Sequence, residues 1–350
     1  MRAPSAAAAS GSASPHRLVP AWGRLARRAL VVPGSLAAAV VLLALVALGL
    51  GDYPMNPGQV IAALGGNQGF ASTIVLEWRL PRVLAAVVFG AALAVSGALF
   101  QTLTRNPLGS PDIIGFSTGA YTGAIISITL LGSQLVAEAA GALIGGLATA
   151  LVVYLLAWRG GVQGFRLIIV GIAMTALLNS VNTYLLLRAQ TEVAMAASIW
   201  GAGSISLVGW PETAFALVPL AVLGLATVVV VRPLRQLELG DDAARAHGVA
   251  AEPARLAILV IGVGLIATVT AIAGPIAFIA LAAPQIARRL IRGAGIPLGA
   301  SALTGALLLL GADQVAQHLV PGAVPVGVVT VVLGGIYLVA LLVHEARKHL

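Results

Sequence analysis

The residues that could do chemistry in this chain are few, and the first of them are two arginines. Arg79 and Arg82 enclose Leu80-Pro81, and Glu77 is the acid nearest to them along the sequence. A guanidinium presents several donors in a fixed fork that fits a carboxylate, so the pair can receive an acidic protein. An arginine at a membrane interface can also simply extend its charged end into water. The sequence leaves both interpretations of the pair open.

A second group of polar residues lies inside apolar segments. Thr175, Asn179, Asn182 and Thr183 are spaced to fall on one face of a helix. An amide in hydrocarbon is costly unless it bonds to a neighbouring helix or faces water, so this face either joins helices or lines a pathway. Asp313 is the one acid deep within an apolar stretch. It is either a proton or cation site or a carboxylate that is paired near the membrane edge.

The run NPLGSPD, residues 106–112, interrupts two apolar segments. Pro107 lacks a backbone donor, and Pro111 suits the first turn of a new helix. Irregular backbone at membrane depth survives only where protein or water satisfies its polar groups. The run is therefore either a tight cytoplasmic turn or a constriction that lines a pathway, and the constriction would be formed by Asn106, Pro107 and Leu108.

The longest polar loop, residues 232–256, contains the sequence LELGDDAARAHGV. The acidic residues that follow its first glycine favour the start of a short helix, and the second glycine favours its end. Such a helix between two membrane spans is either a docking element for a cytoplasmic partner or part of a solvated loop. The residues expected to make the contact are Gly240, Asp241, Asp242, Ala244, Arg245, His247 and Gly248.

These polar groups stand between segments that are long and apolar enough to cross a bilayer. The 350 residues are 59% hydrophobic and 9% charged, whereas a soluble domain carries about a quarter charged residues. The sequence therefore predicts an all-α polytopic membrane protein with about ten transmembrane helices. The predicted spans are 29–50, 83–103, 113–131, 139–157, 167–187, 213–231, 256–273, 275–287, 299–318 and 325–343.

The basic residues predict the orientation of these spans. With ten spans, only Arg79, Arg82 and Arg188 of the 20 basic residues lie on the side opposite the termini. Because Lys and Arg accumulate on the cytoplasmic side, both termini are predicted to be cytoplasmic. Residues 1–28, rich in Ala, Ser, Pro and Arg, predict a flexible basic tail, and residues 29–350 the membrane domain. Since the basic residues are dispersed over the ends of the spans, they do not indicate a nucleic-acid-binding face.

Several kinds of site have no signal in the sequence. There is no Walker A motif and no run of His, Asp or Glu at metal-ligand spacing. The chain contains no cysteine, which excludes thiolate metal sites and thiol catalysis. We therefore expect no catalytic, cofactor-binding or metal-binding residue, and no ATP hydrolysis by this chain itself.

Several long motifs occur in a consistent order along the chain. They are RLPR at residues 79–82, GAALAVSGALFQTLTRNPLGSPDIIGFSTGA at 90–120, the loop LELGDDAARAHGV, GPIAFIALAAPQIARRL at 274–290, and VPVGVVT at 324–330. Together they resemble the permease subunits of type II ABC importers, the FecCD/BtuC-like family that imports iron chelates, haem and cobalamin. The resemblance covers nearly everything after residue 29 and implies that this membrane domain is a permease.

The resemblance also implies a role for each group of residues. The arginines that match Arg79 and Arg82 receive acidic residues of the substrate-binding protein. The segment Asn106–Leu108 contributes to the cytoplasmic gate at a dimer axis, and the loop 240–248 sits in a groove of the ATPase subunit. The fifth and tenth spans line the central pathway, which assigns the polar face of the fifth span to that pathway.

The partners follow from the same resemblance. They are a second permease subunit (a non-identical homologue or an identical copy), two ATPase subunits that hold ATP and Mg, an extracytoplasmic siderophore-binding protein and membrane lipid. The implied location is the bacterial cytoplasmic (inner) membrane.

Two positions depart from the family pattern. Gln285 stands where the family usually has a histidine, and Gln317 stands where it has a further docking arginine. The form APQIARRL is most similar to ferric-siderophore permeases of the iron-enterobactin type, so a ferric siderophore is the expected cargo. Cobalamin and haem stay open within the family. Outside the family, an ion-coupled secondary transporter that uses Asp313 is the alternative, although such a carrier has no need of the 240–248 loop.

Overall fold

A computed structural model describes residues 19–66, 69–132, 134–158, 164–293, 295–322 and 324–347 of the chain. The regular structure of these residues is helical, as the sequence predicted. The helices are α1 Val19–Gly49, α2 Pro57–Leu64, α3 Phe70–Thr73, α4 Leu80–Thr104, α5 Phe116–Leu131, α6 Leu135–Ala157, α7 Gly164–Arg188, α8 Thr191–Gly201, α9 Trp210–Glu238, α10 Asp241–Ala246, α11 Ala251–Ala273, α12 Ile279–Ile291, α13 Leu298–His318 and α14 Val326–Ala346. A π-helical turn, Ile74–Arg79, joins α3 to α4, and a 3-10 turn, Pro111–Ile114, precedes α5.

Each of the ten predicted spans corresponds to one of these helices. Within the described residues, seven helices are long and apolar enough to cross a membrane: α1, the continuous α3–α4 helix, α6, α7, α9, α11 and α13. Two of the other three, α5 and α14, are shorter apolar helices. The third, α12, has 13 residues and is about 20 Å long, so it crosses only part of the hydrocarbon.

The helix α1 begins at Val19, ten residues before the predicted start of the membrane domain, and its part that is apolar enough to cross a membrane is Arg28–Gly49. The segment from Ala21 to Leu30 is rich in Ala, Leu and Arg, which are good helix formers, so the membrane helix continues beyond the apolar run. Residues 1–18 lie outside the described residues.

The helix α4 is the centre of the fold. In the most apolar stretch of this helix 72% of the residues are buried, whereas in the corresponding stretches of α1, α7 and α9 the buried shares are 11%, 11% and 17%. Glycines let its neighbours approach closely: a Cβ on Gly97 would lie 1.7 Å from the carbonyl oxygen of Ala280 in α12, and one on Gly90 would lie 2.3 Å from that of Gly305 in α13. Close contact of backbones through small residues is the usual means of packing helices in membranes.

The chain enters α12 through a non-helical segment that protein covers. Gly274 and Phe278 have positive φ of 68° and 69°. Nearby, the backbone NH of Ser204 donates to the carbonyl oxygen of Ala273 at 2.7 Å, and the backbone NH of Gly327 donates to the carbonyl oxygen of Gly203 at 2.9 Å. These contacts hold residues 203–204 against the end of α11 and the start of α14, next to this segment, and they satisfy backbone groups that lie outside regular helices.

Candidate functional sites

Arg79 is held by the end of α1. Its Nη1 donates to the carbonyl oxygen of Leu48 at 2.8 Å and its Nη2 to that of Tyr53 at 2.9 Å. The last carbonyls of a helix lack partners within the helix, and an arginine can satisfy them. The side chain therefore fastens α1 and its following loop to the start of α4.

Arg82 is held by Asp313, which lies 231 positions further along the chain. The Arg82 Nη2 lies 2.8 Å from Asp313 Oδ1, and Nε donates to Oδ2 at 3.2 Å. Gln317 donates to the same Oδ2 at 2.5 Å, and Ser206 Oγ accepts from Arg82 Nη2 at 3.2 Å. The side chain of Asp313 is 1% exposed and that of Arg82 18%. Of the two interpretations of Asp313, the structure supports the paired carboxylate.

The two arginines border one outward cavity. Its volume is about 300 Å³, and it is lined by Asp52, Tyr53, Trp78, Ser206 and Gln314 among others. Glu77 is the nearest acid along the sequence, but in space Asp313 forms the ion pair with Arg82 and Asp52 lies in the same cavity. The docking role itself stays a prediction.

The turn after α4 is ordered by its own side chains. Arg105 ends α4 with a positive φ of 49°. Asn106 Oδ1 then accepts the backbone NH of Leu108 at 2.9 Å, an arrangement that asparagine forms readily in turns. The side chain of Leu108 is 46% exposed, so it is free to meet a partner or water.

Gln285 braces this turn against α12. Its Nε2 lies 2.6 Å from Gln101 Oε1 and 3.3 Å from the carbonyl oxygen of Pro107. The Nε2 of Gln101 donates in turn to the carbonyl of Leu281 at 3.0 Å. The glutamine that departs from the family pattern therefore joins the turn at residues 106–108 to α4 and α12.

Asp241 joins the predicted loop helix to Arg105, the residue that ends α4 just before the turn at residues 106–108. Arg105 Nη2 and Arg255 Nη2 each lie 2.5 Å from its Oδ1, and Arg105 Nη2 also donates to the carbonyl of Leu237 at 3.1 Å. Burial alone would raise the pKa of Asp241, but the hydrogen bonds and charges of Arg255 and Arg105 hold it below its ordinary value. One carboxylate thus connects the ends of α4 and α9 with α10 and α11.

The rest of α10 faces outward. The helix begins at Asp241 and ends before Gly248, whose φ is +78°, as the sequence predicted. Asp242, Arg245 and His247 are exposed, whereas Ala244 is buried. Gly240 precedes the helix with a φ of +117°. The first residue of α10, Asp241, is therefore held by two arginines, whereas the face that carries Asp242, Arg245 and His247 is exposed.

The four polar residues of α7 do not share one environment. Asn179 and Thr183 are exposed, but Asn182 is 3% exposed and its Nδ2 donates to the carbonyl of Thr118 in α5 at 3.4 Å. Thr175 is half-buried near Gly115. The spacing was right for one broad face, but the packing of α5 divides it. Asn182 is an interhelical contact, and Asn179 and Thr183 remain on the open side.

Sequence reasoning missed Arg255 and Gln101 as parts of these sites, and it did not identify Arg82 as the partner of Asp313. Arg105, Asp241 and Arg255 lie on the same predicted side of the membrane, so their opposite charges were a usable signal. Among the described residues, no group of three or more His, Cys, Asp or Glu is placed to hold a metal ion.

Comparisons with known proteins identify the family of this chain. The FecCD transport family matches residues 39–344. The ferric enterobactin transport system permease protein FepG of Escherichia coli is 49% identical over 326 residues, which cover 93% of this chain and 99% of FepG. The permease protein FepD of the same system is 35% identical over 91% of this chain and 97% of FepD. A solved chain described as a metal-chelate type ABC transporter in an inward-facing conformation superposes with a TM-score of 0.79 at 27% identity, covering 90% of this chain and 99% of that one.

Proposed function

Because this chain belongs to the FecCD transport family, we propose that it is the membrane permease subunit of an ATP-driven importer that carries a ferric siderophore into the cytoplasm. The observation that carries the proposal is the match to FepG over nearly the whole of both chains, which includes the gate turn and the 240–248 loop. The chain is a multi-pass membrane protein, and we place it in the bacterial inner membrane.

The pathway is proposed to lie along the open side of α7. Only 11% of the most apolar window of this helix is buried, yet Asn179 and Thr183 are exposed on it. Lipid would leave the amide of Asn179 without partners, so a second permease subunit or water is the more favourable neighbour. FepG and FepD are two permease proteins of one system, which supports a non-identical homologue as the partner.

The gate is proposed to be the turn Asn106–Leu108. Leu108 presents its apolar side chain beside a fixed Asx-type turn, so two such turns meeting at an axis would exclude water from a narrow passage. Gln285 holds the turn from behind through the carbonyl of Pro107. A change in the position of α4 or α12 would therefore move the seal.

Coupling to ATP is proposed to run through Asp241. A separate ATPase subunit, which holds ATP and Mg, would contact the exposed residues Asp242, Arg245 and His247. Displacement of α10 would then pull on Arg105, which immediately precedes the gate turn. A short exposed helix that is joined to the gate by an ion pair is suited to a permease whose movement is driven by a separate ATPase subunit.

Docking of the binding protein is proposed at the outward cavity. Since Asp313 is almost fully buried, a carboxylate of the binding protein cannot take Arg82 away from it without leaving a buried charge unpaired. Such a carboxylate would instead bind the side of the guanidinium that Asp313 leaves free. Docking affinity in nanodiscs should fall for Arg82→Gln and change little for Asp313→Asn; an equal fall in both variants would indicate a structural role alone.

The function is tested by iron uptake in cells. Deletion of this chain should abolish accumulation of iron supplied as ferric enterobactin, and expression of the chain with its partners should restore it. Normal uptake of the ferric siderophore with loss of haem or cobalamin uptake would move the cargo to the family's other substrates. Uptake that persists without the ATPase subunit would contradict the proposal.

A further inference from the structure

Two cavities meet at the predicted cytoplasmic ends of α9 and α12. The first, the inner cleft, has a volume of about 740 Å³ and is lined by Arg105, Arg235, Gln285 and Arg288 among others. The second, the side groove, has a volume of about 580 Å³ and runs along α9. Arg235, Glu238, Ile296 and Pro297 line both cavities, so the two spaces lie next to each other.

The inner cleft carries an excess of positive charge. Arg235 and Arg288 are exposed, and within the described part of the chain no carboxylate lies within 4.0 Å of either guanidinium. Glu238 is already engaged, because its Oε1 accepts the backbone NH of Ile296 at 3.2 Å. The two guanidiniums are therefore available to an anion, and a phosphate fits their donor geometry.

The side groove is apolar and opens on a membrane-facing helix. Its walls include Val228, Val231, Leu234 and Ile291. Val228 is 66% exposed, so the described residues leave this side of α9 uncovered. A soluble anion would use only the inner cleft, whereas a molecule with a charged head and an apolar tail fits both spaces.

We propose that the inner cleft and side groove hold one anionic phospholipid of the cytoplasmic leaflet. Its phosphate lies between Arg235 and Arg288, and an acyl chain lies along Val228 and Val231. Basic pockets between membrane helices on the cytoplasmic side are suited to such headgroups. The volumes of both cavities are in the usual range for small-molecule sites, about 300–1,000 Å³.

The position of the headgroup links this lipid to the gate turn. Asn106, Pro107 and Gln285 form another wall of the inner cleft. A headgroup in the cleft would lie against the turn and against the glutamine that braces it. The lipid is therefore placed to stabilise one position of the gate, which goes beyond the proposed cargo and does not depend on it.

The test measures retained lipid by native mass spectrometry of the assembled complex after exchange into phosphatidylglycerol or phosphatidylcholine. The double variant Arg235→Gln/Arg288→Gln should bind phosphatidylglycerol with an affinity about 25-fold lower, because it lacks the two arginines that attract the anionic headgroup. The control Arg232→Gln/Arg289→Gln removes the same charge from exposed positions that line neither cavity and should retain the lipid. Val231→Trp fills the side groove and should weaken retention with both arginines intact.

Three results would overturn the proposal. The first is equal lipid loss in the control pair, which would indicate a general charge effect. The second is equal retention of phosphatidylcholine by the unaltered complex, which would indicate lipid without headgroup selection. The third is displacement of phosphatidylglycerol by excess inorganic phosphate, which would indicate a site for a free anion. None of these readouts requires transport, so failure here is distinct from failure of the proposed function.

Discussion

Replacing Asp241 by asparagine should separate ATP hydrolysis from movement of the gate. The carboxylate receives Arg105 and Arg255, each at 2.5 Å, and asparagine keeps the shape but loses the charge. Asp242 is the matched control. It is the next residue of the same helix, but it is fully exposed, and its one ion pair among the described residues is with Arg245 at 3.9 Å.

The expected cost in stability is small. The Asp241 side chain is 32% exposed and that of Arg105 is 48% exposed, so solvent screens the pair. Charged pairs of this exposure contribute about 1 kcal/mol or less. A coupling free energy between two sites of a protein is commonly about 1–3 kcal/mol, which corresponds to roughly 5–150-fold. The variant should therefore fold and assemble, while the transport coupled to each ATP falls by up to about 5-fold, the factor that corresponds to about 1 kcal/mol.

The assay is the ratio of ferric siderophore imported to ATP hydrolysed by the reconstituted complex. Asp241→Asn should lower the ratio with hydrolysis retained. Asp242→Asn removes a charge from the face proposed to contact the ATPase subunit, so it should change import and hydrolysis together and leave their ratio unchanged. Arg105→Gln should lower it as well, and the double variant with Asp241→Asn should add little, because both remove the same contact. A wild-type ratio in Asp241→Asn, or an equal fall in Asp242→Asn, would refute this coupling route.

The pH dependence of this link has a definite sign. The pKa of Asp241 is lowered in the folded protein, so its contribution to stability is present above its unfolded pKa of about 3.9. The contribution is lost as the pH falls through the lower folded pKa. Protonation of Asp241 should therefore not affect coupling between about pH 5 and pH 8.

Three further predictions concern other parts of the chain. Arg82→Gln should lower the free energy of unfolding by about 3 kcal/mol, because it leaves the carboxylate of Asp313 buried without its cation. Asp313→Asn should lower it by less, and a melting temperature of Arg82→Gln equal to that of the unaltered protein would contradict the pairing. Gly97→Ala should destabilise the fold by about 1–3 kcal/mol, because its Cβ meets the backbone of α12. Gly224→Ala, whose Cβ would have nothing within 4 Å, should not destabilise it, and thermal unfolding in detergent compares the two variants. A cysteine in place of Leu108 should react with a water-soluble thiol reagent at different rates in nucleotide-free and ATP-trapped complexes, and equal rates would make the turn a static bend.

The sequence predicted the helices well because hydrophobicity and backbone-breaking residues act locally. The ten spans and α10 follow from apolar length, from Gly240 and Gly248, and from the excess of basic residues on one side. The helix α8 was missed, since its 11 residues are too short to cross a membrane and were included in an outer loop.

The contacts between distant residues could not be predicted in the same way. The pairing of Arg82 with Asp313 depends on α4 packing against α13, and a local pattern does not specify which helices become neighbours. The same limit applies to Asn182, whose spacing on α7 was correct but whose burial depends on the approach of α5. Periodicity indicates a face of a helix, and packing decides what that face contacts.

The central claim, ATP-driven import of a ferric siderophore through this chain, is tested most directly by transport in proteoliposomes. The complex would be reconstituted with ferric enterobactin and the binding protein on one side and ATP on the ATPase side. Accumulation should require ATP, persist when ion gradients are collapsed, and stop when the ATPase subunit is inactive. Uptake that proceeds without ATP, follows an ion gradient and is abolished by Asp313→Asn would contradict the account and indicate an ion-coupled carrier.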